Sequence, residues 1–176
     1  MGNGTKGVLL VVDMQNDFLW ELRKEIFTYD TQYLTENVNR AIEYFSHLSN
    51  DIIYIRHIVP DNKLTRKLIG HTISGTEGAD FYRGLSVISE HQYTSLFPDA
   101  LSDKNLRHLA QARNYYDYYI CGLDFCGSIC QTAKGASLLS GNVTVLENCT
   151  GTRFANDKID AARGKMVANG VRFEVL

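Results

Sequence analysis

The chain has 176 residues, of which 44% are hydrophobic and 22% charged, and its formal net charge is −2 at pH 7. That length supports one sizeable core, so residues 1–176 are expected to form a single domain. The slight acidity offers no basic surface to nucleic acid or an anionic membrane, and no apolar run approaches the length of a bilayer span.

The first residues carry no signal-peptide pattern, and Lys6 stands where a myristoylation motif needs Ser or Thr. With four cysteines (Cys121, Cys126, Cys130 and Cys149), this points to a cytoplasmic protein with reduced thiols rather than a disulfide framework. Cys121, Cys126 and Cys130 lack zinc-ribbon spacing, so buried structural thiols are expected, with no metal or cofactor. Glycosylation patterns at Asn3, Asn142 and Asn148 have no consequence in a cytoplasmic chain.

Residues 7–12 (GVLLVV) form a continuous apolar run, as in a parallel strand buried on both faces. Asp13 ends it, at a place where a carboxylate is costly to bury without a role. Asp30 or Thr31 caps a helix reaching Leu48, with Leu34, Val38, Ala41, Ile42 and Phe45 on one face. Residues 51–57 form the second strand. Residues 61–85 read as a long irregular excursion with at most one short helix, the kind of segment that tends to be functional. A short third strand is expected at 85–89, with Glu90 directly after it. Ser102 caps a helix carrying Leu106, Leu109 and Ala110.

The fourth strand, at 118–121, runs through Gly122 and Gly127 into a helix. Ser128 falls in the first turn of that helix, as an N-cap or as a group facing a ligand. Residues 143–146 give the fifth strand. A helix from Asn156 or Asp157 turns Ile159, Ala162 and Met166 inward and stops at Gly170. The sixth strand is expected at 171–176. This alternation predicts a three-layer, Rossmann-like α/β domain with a mainly parallel six-stranded sheet. In the order 3-2-1-4-5-6, Asp13 and the Gly127-Ser128 turn meet at the switch point, above the carboxyl ends of strands 1 and 4.

Several stretches now align with one family. Val11-Val12-Asp13-Met14-Gln15-Asn16-Asp17-Phe18 resembles the opening motif of the isochorismatase-like cysteine hydrolases. Arg56-His57, the stretch from Gly75 to Asp80, His91-Gln92-Tyr93 with Phe97, the stretch from Cys121 to Ala133 and that from Glu147 to Phe154 follow in the family's order. The resemblance implies a hydrolase of a small metabolite and a homo-oligomer. It gives Asp13 the role of the catalytic Asp. The family's lysine position falls on Glu90 and its cysteine position on Ser128, so two of three catalytic residues are altered.

A serine hydroxyl titrates far above a thiol, whose pKa is near ~8.5, and needs a placed base. The usual nucleophilic amidase mechanism is therefore not expected. If Glu90 adjoins Asp13, the two carboxyls share a proton and one can serve as a general acid. Three readings stay open. The first is a hydrolase using Asp13, Glu90 and Ser128, with the Gly127 and Ser128 backbone at the turn. The second is a non-catalytic relative that binds a ligand or serves assembly. The third is a cysteine hydrolase using Cys126, through a gapped alignment. Phe18, Trp20 and Cys126 are candidate pocket residues. His57 and His71 read as surface or packing residues, because the Asp-x-His metal pattern of the nicotinamidase branch is missing.

Overall fold

The structure, a computed structural model, describes residues 6–139 and 141–176. The Asn3 glycosylation pattern and the residues read for a signal or lipid anchor lie outside the described residues, apart from the backbone of Lys6. Six strands form one sheet: β1 (Lys6–Val12), β2 (Asp51–His57), β3 (Gln92–Ser95), β4 (Tyr115–Gly122), β5 (Asn142–Thr150) and β6 (Arg172–Glu174). Their order is β3-β2-β1-β4-β5-β6, and every neighbouring pair is parallel. The helices are α1 (Asn16–Leu19), α2 (Thr31–His47), α3 (Lys63–Leu68), α4 (Lys104–Arg113), α5 (Cys130–Ser137) and α6 (Asn156–Ala168).

β1 explains the layering. Val8, Leu10 and Val12 join the core beneath α4, α5 and α6, whereas Leu9 and Val11 join the core beneath α2. Successive side chains of a strand point to opposite faces, so an unbroken apolar run requires cover on both sides. Asp30 caps α2 by accepting from the Tyr33 N–H at 3.0 Å. The cap of α4 is Asp103 rather than Ser102, which belongs to a short 3₁₀ turn. The 61–85 excursion holds α3 and a further 3₁₀ turn at Glu77–Ala79. Among the described residues no helix is long and apolar enough to cross a membrane.

The third strand is not where the sequence placed it. Residues 85–89 lie outside the sheet, and β2 pairs instead with Gln92–Ser95. Side chains intercept the backbone of the earlier segment. Asn39 donates to the Gly84 carbonyl and accepts from the Ser86 N–H. The Tyr54 hydroxyl donates to the Ser86 carbonyl and accepts from the Ile88 N–H. With those groups satisfied, the segment has no need of a ladder.

Candidate active site

Asp13 leaves β1 in a left-handed conformation, φ 54°, which an aspartate tolerates better than most side chains. Its N–H donates to the Ile55 carbonyl at 2.9 Å. The residues after it act as a clamp. The fully buried Gln15 amide donates to the carbonyls of His57 and Ala79 and accepts from the His57 N–H. Asn16 donates to the Glu77 carbonyl, and the Asp17 carboxylate accepts from the Thr72 N–H at 2.6 Å. The opening motif thus ties the 61–85 excursion to the carboxyl end of the sheet, and His71 lines one cavity with Asp13.

From the other side, β4 ends at Gly122, with φ 109°. A Cβ there would lie 2.0 Å from the Val12 carbonyl oxygen, which accepts from the Leu123 N–H at 2.9 Å. Only glycine permits that approach, which sets the next turn against Asp13. A π-helical turn (Phe125–Ile129), irregular at Gly127, then leads into α5. Its cap is Asp124, which accepts from the Cys126 N–H at 2.8 Å. Ser128 is left free of capping, and it lines one cavity with Asp13, whose charged form its hydroxyl favours.

A cavity of about 210 Å³ opens above these strand ends, lined by Asp13, Gly127 and Ser128 with Phe18, Phe27 and Tyr29 among others. Phe18 packs edge-on to Phe27 at 4.9 Å between centroids and to the His71 ring at 5.5 Å. Asp124 joins three of the walls. Besides Cys126 it accepts from the Tyr29 hydroxyl at 2.9 Å, the Thr152 hydroxyl at 3.2 Å and the Arg153 N–H at 3.1 Å. A larger open groove runs alongside and shares only Phe27 and Tyr29 with this cavity. It contains neither Asp13 nor Ser128, so the smaller cavity is the candidate site.

Burial pushes the Asp13 carboxyl up to about 7, against the influence of the Ser128 hydroxyl and the His57 backbone, which favour its charged form. No lysine or arginine contributes to that balance. Burial also lowers the His57 imidazole. Burial, with Lys24, His57 and Arg153 nearby, lowers His71 to about 4, so its ring is neutral at pH 7. Burial and the adjoining Asp124 keep the Tyr29 phenol protonated.

Of the residues expected at the site, Asp13, Phe18, Gly127 and Ser128 meet in the cavity. Glu90 does not: it is exposed, outside the cavity, and plays no part in the Asp13 shift. The displaced third strand is the reason. Glu90 now precedes β3, and Val11 pairs with Tyr54 and Tyr54 with Gln92, so Glu90 lies four strand positions below Asp13. At 3.3 Å per residue that is roughly 13 Å along the strands, toward the opposite sheet edge.

Trp20 lines the neighbouring grooves instead. Cys126 also lies outside the cavity, its thiol 3.5 Å from the Thr152 hydroxyl and pushed up by burial. Cys121, Cys130 and Cys149 are free and buried. His57 and His71, expected as surface or packing residues, both line the cavity. Among the described residues no three metal-ligating side chains gather closely enough to hold an ion. Tyr29, Asp124 and Arg153 escaped the sequence reading, although the stretches holding the last two were recognised.

The family model described as "Isochorismatase domain" matches residues 7–173. Among solved structures, the pyrazinamidase of Pyrococcus horikoshii, in complex with zinc, is similar at 20% identity with a TM-score of 0.80, over 97% of this chain and 99% of that one. An isochorismatase family protein from Desulfovibrio vulgaris is similar at 17% identity with a TM-score of 0.83, over 97% and 94%. The N-carbamoylsarcosine amidase of Thermoplasma acidophilum is similar at 20% identity with a TM-score of 0.79, over 97% and 96%. Comparison with curated proteins found no match.

Proposed function

Because the chain belongs to the isochorismatase family, we propose that it hydrolyses a small, single-ring molecule with Asp13 as general acid and base. The observation that carries this reading is the buried Asp13 carboxyl at the floor of an aromatic cavity, titrating at about 7. A group with a pKa near the working pH is present in both proton states and is suited to proton transfer in either direction. A cavity of about 210 Å³ falls below the ~300–1,000 Å³ range of drug-sized pockets and suits one ring.

The protonated carboxyl gives its proton to the leaving atom as that atom's bond to the scissile carbon breaks. A water molecule supplies the oxygen that bonds to the carbon, and one of its protons restores the carboxyl. One water is consumed and Asp13 ends as it began. The Ser128 hydroxyl, in the same cavity, favours the charged form of that carboxyl. A serine-nucleophile route has no hydrogen bond, among the described residues, from Ser128 to the His57 or His71 ring that shares its cavity, and a route through Cys126 lacks both a depressed thiol and a place in the cavity.

The pyrazinamidase named among the similar structures sets the first substrate to try, pyrazinamide, followed by single-ring esters and enol ethers, with the acyclic N-carbamoylsarcosine as the contrast. Turnover is expected to change about half-maximally near pH 7 and to fall at least ~100-fold in Asp13→Asn, the lower end for loss of an acid–base group. Undiminished turnover in Asp13→Asn refutes the assignment. The second reading, a non-catalytic binding protein, is favoured by the lack of a cation acting on Asp13. It predicts ligand-induced stabilisation with no turnover of any substrate. Family resemblance also supports a homo-oligomer, which sedimentation velocity tests.

A further inference from the structure

Arg153 stands exposed at the cavity rim, and no described residue accepts from its side-chain donors. Among the described residues its hydrogen bond is through the main-chain N–H, to Asp124 Oδ2 at 3.1 Å, and no ion pair includes its guanidinium. The guanidinium carbon lies 4.6 Å from the Phe154 ring centroid and 5.6 Å from that of Phe27. Both rings line the Asp13 cavity, as Arg153 does. Stacking on two aromatic faces restrains the planar guanidinium, and its five donors suit a carboxylate held in a bidentate fork.

The nearby acids do not compete for it. Both Asp124 oxygens are occupied, by four donors in all. The Asp13 carboxyl is buried at the cavity floor, and among the described residues it forms no ion pair with Arg153. A cationic ligand would face the guanidinium directly, and a neutral one would leave its donors to water.

We propose that Arg153 is a specificity-determining residue that selects single-ring anions, with the ligand ring against Phe18, Phe27 and Phe154 and its carboxylate at the guanidinium. This inference rests on reading the Asp13 cavity as the active site.

Calorimetry at pH 7 with benzoate, benzamide and benzylamine tests it on the wild type, Arg153→Gln and Arg153→Lys. Benzoate is expected to bind at least ~10-fold more tightly than benzamide, and benzylamine more weakly than either. Arg153→Gln should abolish the preference for benzoate while leaving benzamide affinity within about 2-fold, and Arg153→Lys should keep part of it. Gln retains the main-chain N–H to Asp124, and matching melting curves verify that the variant is folded.

Equal binding of benzoate and benzamide by the wild type, a preference that survives in Arg153→Gln, or no binding of any of the three overturns the proposal. Asp13→Asn separates it from the acid–base reading. Turnover that survives in Asp13→Asn while the anion preference follows Arg153 rejects the acid and keeps the selector. Turnover that depends on Asp13 with no anion preference does the reverse.

Discussion

Ser128 and the buried carboxyl of Asp13 line one cavity, where the turn after β4 meets the end of β1 at the switch point of the sheet. The Ser128 hydroxyl favours the carboxylate, and burial opposes it more strongly. Asp13 is therefore held between two proton states by its surroundings, with no charged neighbour setting the balance.

That balance makes stability depend on pH. The Asp13 carboxyl titrates at 3.8 in the ordinary state and at about 7 in the fold. Between those values the folded protein binds more protons than the unfolded chain, so stability falls as pH rises from about 4 to 7 and then levels off. A shift of this size corresponds to at most roughly 4 kcal/mol. Asp13→Asn removes the charge and keeps an acceptor for Ser128. Its melting temperature should exceed that of the wild type at pH 8 and match it at pH 4. Parallel melting curves for the two proteins across that range would show that Asp13 does not titrate as described.

Asp124 unites the Tyr29 segment, the turn carrying Ser128 and the loop carrying Arg153 through four accepted hydrogen bonds. Asp124→Ala should cost about 2–4 kcal/mol in urea unfolding, since it deprives partly buried donors of a charged acceptor. Asp124→Asn, which keeps one acceptor oxygen, should recover part of the loss. Equal stability of all three proteins would place the cohesion of the cavity elsewhere.

Glu90 offers a negative control. It is exposed and outside the cavity. Glu90→Gln should alter unfolding free energy by no more than about 0.5 kcal/mol and leave the Asp13 midpoint in place. Carboxyl-carbon NMR of labelled Asp13 in the two proteins is the measurement. A midpoint displaced toward 4 by the substitution would restore the shared-proton pair.

The sequence by itself determined the architecture and half of the site. An apolar run needing cover on both faces and the alternation of strand and helix patterns were enough for a three-layer α/β domain, and the order 3-2-1-4-5-6, taken there as a condition, is the one the sheet has. In that order Asp13, which directly follows β1, and Ser128, in the turn between β4 and α5, fall at one switch point.

The tertiary structure decided the rest. Residues 85–89 have an acceptable strand pattern, but the Asn39 and Tyr54 side chains, distant in sequence, claim their backbone groups. The pairing moved to Gln92–Ser95, and Glu90 passed from the carboxyl side of a strand to its amino side. Tyr29, His71 and Arg153 likewise reach the cavity with the help of long-range hydrogen bonds, by way of Asp124 for the first and last and of the Gln15-Asn16-Asp17 clamp for His71. Such bonds leave no period or spacing in the chain. They depend on which donors and acceptors the completed fold brings within reach.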